Sequence, residues 1–80
     1  MKVFNFIEVI DNFHKCVLRE NTGNAQVFAN KLGVSRATIY NIIAELDAYG
    51  IEIKYSRFRG TYYYRYPENV NIIIKIVQIE

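Results

Sequence analysis

Residues 24–50 read NAQVFANKLGVSRATIYNIIAELDAYG, and the parsing of this stretch decides the fold. Helical periodicity divides it into two helices, 25–32 and 36–49, joined by the turn Leu32-Gly33-Val34-Ser35. In the first helix Val27, Phe28 and Leu32 are the apolar contacts, and small Ala29 leaves room for a crossing helix. Gly33 suits the left-handed backbone that ends a helix abruptly, a conformation that costs other residues more. Ser35 then offers its hydroxyl to the free amides of the next helix as an N-cap. That helix carries Ile39, Ile42, Ile43 and Leu46 on one side and stops at Gly50. Its other side shows Arg36, Ala37, Tyr40, Asn41 and Ala44: donors, small residues and one flat ring.

A helix face of that composition suits the major groove of DNA. Arg36 has the geometry to donate twice to a guanine edge or to grip a phosphate. Asn41 matches adenine in the same paired fashion. Tyr40 offers a hydroxyl to a phosphate and a ring to a thymine methyl. Ser35 and Thr38 stand where a helix N-terminus and hydroxyls hold a backbone phosphate. Taken singly, each residue is as well explained by an ordinary solvated surface helix. The case rests on their conjunction with the turn before them and the segment after them.

That segment is a basic hairpin. Residues 51–56 alternate apolar and polar side chains as a half-buried strand does. Arg57-Phe58-Arg59-Gly60 makes the tip, and residues 61–66 return. Alternation puts Tyr62, Tyr64 and Tyr66 on one face and Thr61, Tyr63 and Arg65 on the other. Ile53, Tyr55, Tyr62 and Tyr64 are expected to pack towards the helices, which favours core packing over base stacking for the tyrosine run; Tyr63 stays open. Lys54, Arg57, Arg59 and Arg65 fall in the span 53–66, which holds no acid. Such a tip suits phosphates or a narrow minor groove. A solvated charged turn is the plain alternative, and part of this charge discourages edge-to-edge strand pairing. Phe58 contributes little to stability there and is left to pack on a sugar or on a partner protein.

Helix, turn, helix and hairpin together resemble the winged helix-turn-helix domain of the biotin-operon-repressor type. Ala29, Gly33, Ile39 and Ile42 occupy the expected offsets of a helix-turn-helix. The matching run is Leu32-Gly33-Val34-Ser35-Arg36-Ala37-Thr38-Ile39-Tyr40, followed by Leu46, Gly50 and the hairpin, or wing. The similarity covers residues 5–66. It implies an α+β winged helix that binds double-stranded DNA sequence-specifically in transcriptional regulation. Residues Ser35, Arg36, Ala37, Thr38, Tyr40 and Asn41 would then meet the major groove. Lys54, Arg57 and Arg59 would meet the flanking backbone or minor groove. Some relatives dock proteins with the same surfaces, so a protein-interaction module without DNA binding is the alternative.

The remaining residues supply support and bounds. Eighty residues with half of them hydrophobic allow one modest core in a single globular domain. A first helix is expected over 6–19, with Phe6, Val9, Ile10, Phe13 and Val17 as its buried stripe. Asn5 and Glu8 form a capping box at its start, after a short β-inclined end at residues 1–4. Asn24 or Thr22 caps the second helix. Pro67-Glu68-Asn69 breaks the returning strand, and 70–79 reads as a further strand that is apolar on both faces. It either folds back on the sheet or pairs with a second copy as a homodimer. The repressor-type resemblance does not reach it.

A net charge of +2 is too small to imply a polyanion partner without the clustering in the hairpin. The single Cys16 forms no internal disulfide and is expected to be a partly buried small residue. The only histidine, His14, is expected to be solvated. No metal site, cofactor or catalytic residue is expected, because no nucleophile–base pair, metal-ligand spacing or glycine-rich phosphate loop is present. Nothing in the chain houses an effector pocket, so no small-molecule ligand is expected. With no legible signal peptide or membrane-spanning run, a cytoplasmic protein is expected.

Overall fold

The computed structural model describes residues 3–70. Helix α1 (Val3–Arg19) is followed by α2 (Ala25–Leu32) and α3 (Arg36–Ala48). Strands β1 (Ile53–Ser56) and β2 (Thr61–Tyr64) then form an antiparallel pair, and a short 3-10 helix spans Pro67–Val70. This is the α+β winged-helix arrangement.

Helix α1 begins at Val3, so the first residues described are helical rather than β-inclined, and Asn5 lies within the helix instead of capping it. Extending an existing helix adds one hydrogen bond per residue fixed, whereas a short strand needs a partner that no described element provides. Val70 belongs to the 3-10 helix rather than opening a strand. The rest of the proposed C-terminal strand, 71–79, lies outside the described residues.

Each helix ends in the same paired hydrogen-bond motif. Past α2, Gly33 N–H donates to Asn30 O (3.3 Å) and Val34 N–H to Ala29 O (3.0 Å), with Gly33 left-handed at φ 70°. This closure, in which the second residue past the helix reaches back five positions, satisfies carbonyls that the helix leaves open. Past α3, Gly50 N–H donates to Asp47 O and Ile51 N–H to Leu46 O, each at 3.0 Å. Past α1 the left-handed position belongs to Glu20, at φ 53°, with Glu20 N–H on Val17 O (3.1 Å) and Asn21 N–H on Cys16 O (3.2 Å). A non-glycine residue pays for that conformation.

The core sits where the three helices meet the inner face of the hairpin. Phe28 of α2 stacks on Phe13 of α1, with centroids 4.8 Å apart, and lies 6.0 Å from the Tyr62 ring. Ala29 is fully buried, as are Ile39 of α3 and Ile51. Ile10, Val17, Ile42, Leu46, Ile53 and Tyr64 complete the cluster. Three apolar assignments fail: Phe6, though in phase with this stripe, is 47% exposed, Tyr55 is 39% exposed, and Val27 is 43% exposed. Tyr55 lies opposite Tyr62 in the strand register and leans on its ring at 4.8 Å, at the rim of the core. Val27 covers Gly23, where a Cβ would come within 2.7 Å of Val27 Cγ1 at a φ of +74°.

Two buried polar contacts dock the hairpin. Asn24 caps α2, its Oδ1 accepting from Val27 N–H (2.9 Å), which frees Thr22 for a different task. Thr22 Oγ1 accepts from Tyr62 N–H (2.8 Å), and Thr22 N–H donates to Thr61 Oγ1 (3.1 Å). Thr61, assigned by alternation to the outer face, is therefore buried under the α1–α2 link, which occupies the free edge of β2. The second contact joins α1 to β2: His14 Nδ1 lies 2.9 Å from the Tyr64 hydroxyl. His14 is thus buried, not solvated. Its helical phase, four residues after Ile10 and three before Val17, turns it to the core, and Tyr64 gives it a partner there.

Burial pushes the His14 pKa below its ordinary 6.5, and Lys15 adds to the shift while Asp11 opposes it. The unfolded chain accordingly binds the proton first. Stability is fully present above pH 6.5 and is lost as pH falls towards the lowered folded value. Burial also raises the Tyr64 phenol, so stability should fall again as pH rises past about 10. Urea midpoints between about pH 7.5 and 5.5 should decline, and H14Q should flatten that decline.

Candidate nucleic-acid interface

The interface is built outward from the start of α3. Ser35 holds an extended backbone (φ −79°, ψ 159°), and its Oγ accepts from Thr38 N–H at 3.1 Å. The two hydroxyls lie 2.9 Å apart. Ser35 and Thr38 therefore order the first turn of α3 as well as facing its open N-terminal end. Burial of Ile39, Ile42 and Leu46 fixes the rotation of the helix and turns Arg36, Ala37, Tyr40, Asn41 and Ala44 to solvent. Arg36 is in no ion pair among the described residues.

The hairpin begins at Ile53, a few residues after α3 ends at Ala48. Burial first, then the nearby phenols of Tyr40 and Tyr55, hold the Tyr62 phenol above its ordinary pKa. Electrostatic influence of this kind requires proximity. Tyr40 on α3 is 53% exposed, and Tyr55 lies across the strands from Tyr62.

The wing cations are less free than an acid-free hairpin sequence implies. Arg59 pairs with Glu20, which reaches over from the left-handed end of α1, and its guanidinium lies 5.2 Å from the Tyr63 ring centre. Lys54 pairs with Glu52 at 3.0 Å, and Arg65 approaches the same carboxylate at 3.5 Å while lying over Tyr66. The Lys54 hydrogen bond, with the charges of Lys54 and Arg65, holds Glu52 below the usual carboxylate pKa. Arg57 is in no ion pair among the described residues. These pairs are exposed, and such pairs typically contribute under about 1 kcal/mol, so a phosphate can displace the acid. Neither Glu20 nor Glu52 lies in the acid-free span 53–66. Glu52 was legible as the residue immediately before β1; nothing local pointed Glu20 at Arg59.

Residues 15–64 match the model of the helix-turn-helix (HTH) domain family, from the last turns of α1 to the end of β2. The match takes in more than half of the chain, which therefore belongs to the HTH domain family. Membership points to DNA binding. No curated protein and no solved structure matches the chain significantly. Among the described residues no helix is long and apolar enough to cross a membrane, and no group of His, Cys, Asp and Glu could hold a metal ion.

Proposed function

We propose that this chain is a sequence-specific double-stranded DNA-binding protein acting in transcriptional regulation. The observation that carries this reading is the solvent-facing row Arg36, Ala37, Tyr40 and Asn41 on a helix whose N-terminus is capped by Ser35 and which is followed in the chain by a basic hairpin. In this reading α3 enters the major groove, with Arg36 and Asn41 reading base edges and Ser35 and Thr38 near a phosphate. Arg57 meets the flanking backbone directly, and Lys54 and Arg59 do so once phosphates replace Glu52 and Glu20. The apolar tail is proposed to join two copies, giving two recognition helices for neighbouring half-sites. The free Cys16 fits a reducing, cytoplasmic setting. The function proposed needs no cofactor.

Duplexes selected from a random pool, followed by affinity measurements on variants, test the reading. R36A should lose about 1–3 kcal/mol of discrimination at one base position. R57A should weaken all sequences alike and lower the salt slope by about 1. R59A should act like R57A but less strongly, since Arg59 starts from an ion pair. A protein-docking module would bind no duplex at low salt, and these variants would change nothing.

A further inference from the structure

We propose that the wing tip is a wedge: Phe58 inserts into a base step from the minor groove, with Arg57 and Arg59 on the phosphates to either side, and so bends the duplex. This rests on the DNA-binding reading above but adds a deformation that the reading does not require.

Phe58 is 99% exposed. Nothing in the described fold covers it, and every other phenylalanine whose burial is described is at least half-covered. The tip that presents it is braced. Ser56 O accepts from Gly60 N–H at 2.8 Å, and Ser56 Oγ accepts from Arg59 N–H at 3.1 Å. Below the tip, Thr61 pairs with Ser56 across the strands and is held by Thr22. On one flank the Arg59 side chain is tied back to Glu20 and Tyr63. The ring is therefore held out by a turn that is already ordered, which reduces the entropy lost on insertion.

Charge selects the occupant. Phe58 is flanked in the chain by Arg57 and Arg59, in a span 53–66 that has no acid. An apolar protein pocket satisfies the ring but offers Arg57 no counter-charge. A duplex offers phosphates on either side of a flat, stackable base step, and a narrow minor groove attracts arginine. Proteins that insert apolar side chains in this way kink DNA, most easily at pyrimidine–purine steps. The hairpin starts at Ile53, a few residues after α3 ends at Ala48, so a helix in the major groove brings the wing towards the neighbouring groove.

The test uses the full chain and a selected duplex of about 30 base pairs. End labels report bending by energy transfer, and 2-aminopurine moved through the flanking steps reports unstacking. Wild type should bend the duplex by tens of degrees and raise 2-aminopurine emission at one step. F58L, which keeps an apolar wedge, should retain most of both signals. F58A should bind within about tenfold of wild type while losing both, with its urea midpoint unchanged because the ring touches nothing in the fold. Wild-type binding to a straight, fully stacked duplex overturns the wedge alone, as does equal bending by F58A. Affinity that depends on Phe58 while the duplex stays straight assigns the ring to a surface contact and also overturns it. Absence of any duplex binding overturns the wedge together with the proposed function.

Discussion

F28A should lower the unfolding free energy by about 3–5 kcal/mol, the range for truncating a buried phenylalanine. Phe28 is fully buried and is the ring shared by three elements: it stacks on Phe13 of α1, belongs to α2 and lies 6.0 Å from Tyr62 of β2. Its removal opens a cavity that no single side chain can close, since the surrounding groups are anchored on different elements. A domain of this length has about 4–12 kcal/mol in total, so the variant should approach its midpoint in dilute urea at room temperature. Urea unfolding followed by far-ultraviolet circular dichroism measures the loss. A loss below about 1 kcal/mol would mean that Phe28 does not occupy the junction described.

T22V should cost about 1–3 kcal/mol although it changes almost no volume. The isopropyl group cannot accept the Tyr62 N–H that Thr22 Oγ1 now receives at 2.8 Å, and that amide lies on a strand edge closed to water by the α1–α2 link. A buried donor left without an acceptor bears its full desolvation penalty. T22S keeps the hydroxyl and should recover most of the difference. Matched urea midpoints for T22V and wild type would mean that the hairpin does not depend on this latch.

These two residues mark the boundary of what the sequence reveals. Phe28 was legible because helical periodicity places it on the inner face of α2, and Gly33 and Ser35 because a left-handed turn and an N-cap are local requirements. The outward row on α3 follows from the same periodicity, once Ile39, Ile42 and Leu46 face the core. Thr22 was not legible: its partners lie 39 and 40 positions away, and a polar side chain meeting a strand edge leaves no periodic trace. His14 carried a local signal, since it shares the helical phase of Ile10 and Val17, but its Tyr64 partner is 50 residues distant. The same limit applies at the site. The run of hairpin cations is visible in the chain, whereas Glu20 reaches Arg59 from the end of α1, 39 positions away, at a helix end made without glycine. Phe6 is the reverse case, a residue in the correct phase that stays 47% exposed.

Salt dependence of duplex binding tests the central claim most directly. A labelled duplex from the selected pool, titrated with the full chain between about 50 and 200 mM salt, should give log affinity falling linearly with log salt. One to three phosphates gripped by Arg57, Lys54 and Arg59 correspond to a slope of roughly −1 to −3. A flat line, or no change in anisotropy at the lowest salt, would contradict the assignment of the α3 face and the wing to DNA.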